Sequence, residues 1–286
     1  MGPKGDPAQV ITGASLTGSG SSSSPLAVSF GGTGSANTAA RSDHTHRSPL
    51  GEGADNPATH CVELLTQRPG IASDFYWLKP STTSKPFRAY CDMVTDGGGW
   101  TLVWSNLRGM RGKPATELQW NTAINTPPIY SGAQAADPEA FMVYTGLKHW
   151  MPLAPGRLLR YSWANDYGSP IDQSYRCTFA LTGTTYTLGL SGCAQLVGSV
   201  VPGLVSHHNN SPFSTYDRDN DSHSINCAAL YSETPFWYST CWYGSINGGG
   251  EAEGDGHFNG AHWIGDVRAW GTDDGVGAGN GWMFVK

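Results

Sequence analysis

The sequence predicts an α+β protein built from short strands, many loops and few helices. Gly accounts for 38 of the 286 residues, whereas charged residues make up only 14%. Helices favour Ala, Leu, Glu and Lys and disfavour Gly, so this composition argues against a helical bundle. The 11 Trp and 12 Tyr residues supply the large side chains that a loop-rich domain needs for its core.

The order of elements follows from local patterns along the chain. Alternating stretches rich in aromatic and β-branched residues predict six strands, at 76–80, 87–93, 101–104, 158–163, 176–181 and 186–190. A short helix is expected to begin within 57–65. A second helix is expected at 137–150, where Phe141, Tyr144 and Lys148 have helical spacing. Residues 198–260 carry few regular patterns, and so long a loop region is typical of a binding surface.

Charge and motif content argue against several classes of function. The net charge is −6 and no stretch is basic, so no nucleic-acid partner is expected. No apolar run reaches about 18 residues, so no membrane span is expected. The sequence also lacks Gly-x-Ser-x-Gly, His-Glu-x-x-His and paired-acid motifs. The chain is therefore predicted not to be an enzyme.

The cysteine content predicts a disulfide-bonded protein rather than a zinc protein or a protein with buried free thiols. None of the six cysteines forms a Cys-x-x-Cys pair, which argues against zinc-type spacing. Six cysteines allow 15 pairings, of which the sequential one would close three short loops. The cysteines are Cys61, Cys91, Cys177, Cys193, Cys227 and Cys241.

The chain divides by composition into a stalk (1–50), a linker (51–60) and a domain (61–286). Gly2–Pro7 (GPKGDP) reads as two collagen-type triplets, followed by Gly/Ser/Thr-rich sequence with little that could bury a core. Such a segment is expected to order only by winding with copies of itself. We therefore predict a fibrous, trimerising amino-terminal segment.

A His-x-His pair lies near the end of this segment. Residues 39–46 (AARSDHTH) resemble stretches of bacteriophage tail fibres, in which such a pair from each of three chains surrounds an axial metal. In an extended chain, residues i and i+2 share a face, so His44 and His46 would both point inward. Three chains would offer six nitrogens, an octahedral set suited to iron or another divalent metal. The alternative is two solvated histidines in a flexible arm.

An acidic loop lies within the long loop region. Residues 214–222 (STYDRDNDS) carry three aspartates at alternate positions, Asp217, Asp219 and Asp221. Calcium needs several oxygen ligands, and alternate aspartates on a curving loop can converge on one ion. The glycine and distant glutamate of an EF-hand are missing. The spacing indicates a calcium site of another kind, with a solvated acidic turn as the alternative.

Several motifs together resemble the fibrinogen-related domains, which include ficolins and tachylectin-5 proteins. The opening signature matches at 91–102 (CDMVTDGGGWTL), and the ligand region matches at 213–221 (FSTYDRDND), 226–228 (NCA), 236–241 (FWYSTC) and 245–248 (SING). The motifs occur in the family's order over about 60–286. The resemblance implies a twisted antiparallel sheet with a loop-rich calcium subdomain.

The family's calcium ligands carry over to four positions of this sequence. Asp219 and Asp221 would ligate through side-chain oxygens, and His223 and Ile225 through backbone carbonyls. The resemblance assigns Asp217 a supporting role in the loop instead of a ligating one.

The family's ligand pocket would lie at the 227–241 disulfide. The resemblance implies a cis peptide at Thr240–Cys241, which would expose a backbone N–H to the acetyl oxygen of a ligand. Aromatic side chains would hold the acetyl methyl group, unless they belong to the core. The candidates for these pocket walls are Phe236, Trp237, Tyr238, Trp242 and Tyr243.

These features predict calcium-dependent recognition of a carbohydrate, including acetylated ones, on a cell surface. The trimer would form a receptor-binding tip or adhesin of the phage tail-fibre kind, located extracellularly or on a virion. Trp242 stands where many acetyl-binding members have His, and the family's Tyr after Asn247-Gly248 is replaced by Gly and Glu. The alternative is therefore a structural tip of the same fold that binds a protein receptor without lectin activity.

Overall fold

The chain forms two units, Met1–Ser48 and Pro49–Lys286. The computed structural model describes the residues 47–107, 115, 117–134, 136–138, 140–164, 171, 173–199, 203–230, 233–241, 244–246 and 280–286, together with short strands at 16–17, 27–28 and 262–263. In the first unit, β1 (Leu16–Thr17) pairs antiparallel with β2 (Ala27–Val28). The predicted metal-binding pair, His44 and His46, lies outside the described residues. None of the described helices is long and apolar enough to cross a membrane.

The second unit is built on an antiparallel sheet. Among the described residues, this sheet has nine strands in the order β10-β9-β8-β13-β5-β4-β3, with β7 paired to β5 and β6 paired to β7. The strands are β3 (Asp74–Leu78), β4 (Phe87–Asp92), β5 (Trp100–Leu107), β6 (Ile129–Gly132), β7 (Phe141–Tyr144), β8 (Leu158–Ala164), β9 (Gln173–Thr182), β10 (Thr187–Val197) and β13 (Asn280–Val285). Two further strands, β11 (Gly244–Ser245) and β12 (His262–Trp263), pair with each other.

The helices of the described residues are short, as the glycine-rich composition predicts. Five α-helices occur there: α1 (Cys61–Gln67), α2 (Trp120–Asn125), α3 (Trp150–Leu153), α4 (Gly203–Ser206) and α5 (Cys227–Leu230). Single 3₁₀ turns occupy Thr95–Gly97 and Leu147–His149. The α+β prediction and all six predicted strands are confirmed, and α1 begins within the segment expected to start a helix.

The main sheet separates two apolar clusters because successive side chains of a strand point to opposite faces. Tyr161 and Met283 lie in the larger cluster, which also contains five of the six cysteines and buried side chains of the loop region such as Phe213 and Trp237. Phe284 follows Met283 in β13 and points to the opposite face, where it belongs to the smaller cluster. Arg160 precedes Tyr161 in β8 and lies on the same face as Phe284. The central strand β13 is buried along its whole length between β8 and β5.

The helix predicted at 137–150 is wrong. Phe141–Tyr144 forms β7, whose four side chains are all buried, and it pairs with both β5 and β6. Helical structure begins only at Leu147 and continues as α3. Phe141 and Tyr144 have helical spacing by coincidence, and a run of four large apolar residues that is buried on both faces fits a sheet better.

The linker predicted at 51–60 is part of the second unit. Gly51 accepts a hydrogen bond from the Trp77 N–H at 2.7 Å, and Ala58 N–H donates to the Trp77 carbonyl at 3.0 Å. Lys79 N–H donates to the Ala58 carbonyl at 2.7 Å, so residues 51–58 lie along β3. Pro, Gly and Asn predicted a linker here, but backbone pairing with a strand edge has no side-chain signature.

The three disulfides have the sequential pairing. Cys61–Cys91 joins α1 to β4, Cys177–Cys193 joins β9 to β10, and Cys227–Cys241 joins α5 to the turn after Phe236–Tyr238. Their sequence separations are 30, 16 and 14 residues, in that order. No cysteine is free. The prediction of an oxidised protein is confirmed.

Gly98, in the turn before β5, should be intolerant of any side chain. Its φ is +65°, and a Cβ atom there would lie 2.2 Å from the carbonyl oxygen of Met93. We expect Gly98→Ala to lower the free energy of unfolding by about 3 kcal/mol or more, since left-handed strain and a backbone clash add together.

Gly70 provides the matched control for this prediction. It has a φ of +82°, but a Cβ atom there would meet no atom within 4 Å. Gly70→Ala should cost only the left-handed strain, about 1–2 kcal/mol. Urea unfolding followed by tryptophan fluorescence would measure both variants, and equal losses would contradict the clash.

Candidate functional site

The acidic loop spans residues 214–226 and is closed at both ends. At its start, Ser214 and Phe236 exchange backbone hydrogen bonds of 2.8 and 3.1 Å. At its end, the Asn226 side-chain amide donates to the carbonyls of Thr215 and Tyr216, at 3.0 and 3.1 Å. The Asn220 amide also donates to the Phe213 carbonyl at 2.7 Å. Side-chain amides thus replace regular secondary structure in shaping this loop.

Asp217 supports the loop. A single oxygen of its carboxylate, Oδ1, accepts the Thr215 hydroxyl at 2.6 Å and the Trp120 backbone N–H at 2.8 Å. The second bond ties the loop to the start of α2. The Arg218 guanidinium lies 4.0 Å from the centre of the Trp120 ring, which adds a cation–π contact to the same junction. This geometry is compatible with the supporting role that the family resemblance implied.

Asp219 and Asp221 lie side by side in the second half of the loop. Asp219 Oδ1 accepts the Asp221 N–H at 3.1 Å, and Asp221 Oδ1 accepts the His223 N–H at 2.9 Å. Asp221 Oδ2 accepts the N–H of Cys227, the first residue of α5, at 2.9 Å. Burial raises the pKa of the Asp221 carboxyl, and the neighbouring Asp219 carboxylate adds to the rise, against these two N–H bonds.

The loop also carries two backbone oxygens that follow the two carboxylates in sequence. No N–H or hydroxyl group of the described residues donates to the carbonyl of His223 or Ile225. Each of these residues instead uses its N–H to bond a side chain of the loop. Two adjacent carboxylates that repel each other, together with free carbonyl oxygens, form a donor set of the kind that calcium prefers. The four predicted ligand positions thus have the chemistry that calcium requires, and their assignment as its ligands stays a prediction.

Two connections join the acidic loop to the turn at 239–241. Ser222 donates to the Ser239 carbonyl through both its N–H and its hydroxyl, each at 2.8 Å. The Cys227–Cys241 disulfide links the first residue of α5 to the end of the turn. The Ser239 hydroxyl lies 2.6 Å from Nε2 of His207. Sequence reasoning gave Ser222 and His207 no role in the site, since the aspartate spacing of the acidic loop involves neither of them.

The Thr240–Cys241 peptide bond is trans, because no cis peptide occurs in the described residues. The predicted cis bond is therefore wrong. Cys241 itself has a positive φ of +72°. No described residue accepts the N–H of Thr240, whereas Cys241 forms a backbone bridge with Ser239. The turn thus keeps the Thr240 N–H available without a cis bond.

Phe236, Trp237 and Tyr238 lie in the core, so the prediction that they form pocket walls is wrong. All three are completely buried. Phe236 and Trp237 pack their ring centres 6.0 and 6.2 Å from that of Trp104 in β5. Rings this deeply buried can only support a ligand site from beneath. The other two candidates for pocket walls, Trp242 and Tyr243, lie outside the described residues.

The sequence matches one protein family over more than half of its length. Residues 59–121 and 175–271 match the family model of the C-terminal globular domain of fibrinogen beta and gamma chains. The mouse fibrinogen alpha chain is 29% identical over 217 residues, which cover 73% of this chain and 26% of the mouse protein. The chain spans a quarter to a half of the length of the first fibrinogen relatives it matches.

Solved structures share the fold of the second unit. The fibrinogen-like globe domain of human ANGPTL6 superimposes with a TM-score of 0.60 at 24% identity, covering 82% of this chain and 96% of that domain. A lamprey fibrin D-dimer, complexed with the peptide Gly-His-Arg-Pro-amide, gives a TM-score of 0.60 at 20% identity, covering 85% of this chain and 77% of the lamprey chain.

The names of these relatives are those of structural and binding proteins, which agrees with the prediction that the chain is not an enzyme. The family match also agrees with the antiparallel sheet, the disulfides and the order of the loop motifs. This chain belongs to the family of fibrinogen C-terminal globular domains.

Proposed function

We propose that the chain is a calcium-dependent recognition protein whose ligand is a cell-surface glycan, bound at the turn formed by residues 239–241. The observation that carries the proposal is the physical connection between this turn and the acidic loop. Ser222 bonds the Ser239 carbonyl twice, and the Cys227–Cys241 disulfide closes the same junction. A loop that changes with calcium would therefore change the turn.

The proposed ligand set is Asp219, Asp221 and the carbonyls of His223 and Ile225. Calcium, when bound, would supply positive charge that offsets the repulsion between the two carboxylates. Asp221 would then keep its bond to the N–H of Cys227 while its other oxygen faces the ion. The disulfide carries that constraint to Cys241 and fixes the direction of the backbone donor in the turn.

The turn would recognise an acetyl group on the sugar. The N–H group of Thr240 is the proposed donor to the acetyl oxygen. Trp242 and Tyr243 follow directly in sequence, and we assign them the contacts to the acetyl methyl and the apolar face of the sugar ring. The buried rings of Phe236–Tyr238 would hold the turn in place from beneath.

The amino-terminal segment would make this recognition multivalent. We propose that residues 1–50 trimerise as a fibrous stalk, with His44 and His46 of three chains around iron or another divalent metal. Three weak sites on one stalk gain avidity that a single site lacks. Three disulfides are typical of proteins outside the reducing cytosol. An extracellular adhesin or a tail-fibre tip agrees with both features, and light scattering would detect the trimer.

A second candidate function is the binding of a protein receptor with the same fold. The lamprey fibrin D-dimer of similar fold is complexed with a tetrapeptide amide. Trp242 replaces the His that many acetyl-binding members of the family carry, and the aromatic row at 236–238 is buried. A peptide could use the same backbone donor of the turn as an acetyl group would.

The calcium site can be tested with three isosteric substitutions. We expect Asp219→Asn and Asp221→Asn each to weaken calcium binding by about tenfold or more, because each removes one charged oxygen ligand. Asp217→Asn is the matched control, since both of its hydrogen bonds end on Oδ1 and an amide oxygen can accept them. Isothermal titration would measure all three. Equal affinities for the three variants and the unchanged chain would place calcium elsewhere.

A glycan array screened with the full chain, in calcium and again in EGTA, tests the ligand. We expect binding to acetylated sugars in calcium, loss of that binding in EGTA, and the same loss for Asp221→Asn. Asp217→Asn should still bind. Absence of glycan binding in both conditions would overturn the lectin proposal in favour of a protein receptor.

A further inference from the structure

A cavity lies on the opposite face of the main sheet from the acidic loop. Its volume is about 640 Å³, within the range of small-molecule sites. Tyr90 of β4, Arg160 of β8 and Phe284 of β13 line it. The acidic loop and the 239–241 turn pack instead with the larger cluster, on the side of Tyr161. The cavity is therefore independent of the proposed glycan site.

Arg160 is the unusual side chain of this cavity. Only 2% of its surface is exposed, and its Nη2 donates to Asp92 Oδ2 at 2.6 Å. The guanidinium lies 4.1 Å from the ring centre of Phe284 and 4.9 Å from that of Trp100, which fixes its position. Its Nε and Nη1 are buried and have no hydrogen-bond partner in the described part of the chain. Buried guanidinium donors without an acceptor are rare and unfavourable, so these two indicate a ligand.

The charges around the cavity favour an anion. Arg160 offsets Asp92, and Arg176 offsets Asp96 through contacts of 3.0 and 2.9 Å to its two oxygens. Lys286 adds a further cation, whose Nζ lies 5.6 Å from the ring centre of Trp100. These five charged side chains leave one positive charge over, while the Asp137 carboxylate acts on Tyr90 more weakly than Asp92 does. A ligand with a single negative charge would balance it.

The rim of the cavity is apolar and exposed. Val94, Ile171 and Val197 line it, and they are 76%, 37% and 45% exposed. They are three of the five large apolar side chains that are exposed among the described residues. Apolar side chains gathered around a buried cation suit a ligand that has one charged end and an apolar body.

We propose that this cavity binds a carboxylate carried on an apolar group. The carboxylate oxygens accept the free N–H groups of Arg160, and the apolar body lies between Phe284 and the rim side chains Val94 and Val197. The charge-assisted bond gives the site its selectivity, because an uncharged acceptor of the same shape forms a weaker one.

The probe is 4-fluorophenylacetate, with its uncharged amide as the matched ligand. Fluorine NMR titration of the full chain would measure both affinities. We expect the acid to bind about tenfold or more tightly than the amide. Equal binding of acid and amide would overturn the proposal, because it would show an apolar cavity in which Arg160 plays no part. Absence of binding by the acid would overturn it as well.

Replacing Arg160 would also leave Asp92 without its partner and destabilise the fold. Substitutions at the rim of the cavity test ligand binding without that effect. Val94→Glu/Val197→Glu places two carboxylates at the mouth of the cavity. Charge repulsion should then lower the affinity for 4-fluorophenylacetate by about threefold or more. Leu230→Glu is the control, because Leu230 is 54% exposed on α5 and lies away from the cavity. An equal effect of both variants would place the acid elsewhere.

A carboxylate on an apolar group occurs both in free organic acids and at the carboxyl terminus of an apolar peptide. Titration with acetyl-Ala-Ala-Phe, as the free acid and as the amide, distinguishes the two sources. Tighter binding of the peptide acid than of 4-fluorophenylacetate would assign the site to a peptide terminus. The reverse order would assign it to a small acid, and preference for the peptide amide over its acid would overturn the proposal.

Discussion

Arg160→Met is expected to lower the free energy of unfolding by about 3–5 kcal/mol, the cost of leaving a buried carboxylate without its partner. Met preserves most of the length and apolar contact of the side chain between Phe284 and Trp100. The loss therefore reports mainly the stranded charge of Asp92, whose side chain is only 11% exposed. Urea unfolding at pH 7, followed by tryptophan fluorescence, would measure it.

A double substitution separates charge from packing. In Arg160→Met/Asp92→Asn no charge is left unpaired. The new amide oxygen can still accept the N–H groups of Val94 and Thr95, which donate to Asp92 at 3.0 and 2.9 Å. We expect the double variant to recover at least about half of the loss. A double variant as unstable as Arg160→Met would show that the loss comes from packing instead.

The pH dependence has a definite sign. Burial raises the pKa of Asp92, but the Arg160 guanidinium and the Thr95 N–H outweigh it, so the pKa lies below its ordinary value. Asp92 thus stabilises the folded state at pH values above its pKa in the unfolded chain. This stabilisation is lost as the pH falls through the lower pKa of the folded state. In Arg160→Met burial dominates and the pKa rises. The difference between the two proteins should therefore shrink as the pH falls from the raised pKa of the variant, above about 4, to the lowered pKa of the unchanged chain.

The sequence predicted the strands well because their information is local. Residues 87–92 and 158–163 alternate or are rich in aromatic residues, and each forms a strand within one or two residues of the predicted bounds. The helix at 137–150 failed because Phe141 and Tyr144 satisfy a helical period while their neighbours Met142 and Val143 are equally buried. Burial on both faces depends on β5 and β6, which no local pattern within 137–150 reveals.

The acidic loop could also be predicted, but the state of its surroundings could not. The spacing of Asp217, Asp219 and Asp221 and their family match distinguished a supporting residue from two candidate ligands, and their hydrogen bonds are compatible with that division. Whether Trp237 faces a ligand or the core depends on Trp104 and Trp150, whose ring centres lie 6.2 and 5.6 Å from its own. No local pattern distinguishes the two.

The burial of Arg160 could not be predicted from the sequence for a related reason. It alternates with Leu159 and Tyr161 like any exposed strand residue, and an isolated arginine in a strand indicates a solvated face. Its burial follows from the turn between β4 and β5 and from β13, which returns from the far end of the chain to pair with β8. Only the assembled sheet brings Asp92, Arg160 and Phe284 together.

Removing the Cys227–Cys241 disulfide, by Cys227→Ala/Cys241→Ala, should destabilise the protein and uncouple it from calcium. Opening a loop of this length, with a sequence separation of 14 residues, costs about 3 kcal/mol in the chain-entropy account. The substitution also frees α5, whose first N–H donates to Asp221 Oδ2. We therefore expect calcium affinity to fall by about tenfold or more.

Cys177→Ala/Cys193→Ala is a matched control within the same chain. That disulfide has a separation of 16 residues, so its removal costs a similar entropy, but it joins β9 to β10 and does not contact the acidic loop. At a calcium concentration of about 100 times the wild-type dissociation constant, binding should stabilise this variant by about 2.7 kcal/mol. A tenfold weaker site would gain only about 1.4 kcal/mol under the same conditions.

The two disulfide variants thus test the connection on which the proposed function depends. We expect the two variants to lose similar stability in EGTA, and only Cys177→Ala/Cys193→Ala to be stabilised fully by calcium. That result would mean that Cys227–Cys241 carries the effect of calcium to the turn. An unchanged calcium response in Cys227→Ala/Cys241→Ala would mean that the loop binds its ion on its own. Ser222, with its two bonds to the Ser239 carbonyl, would then be the remaining connection between the loop and the turn.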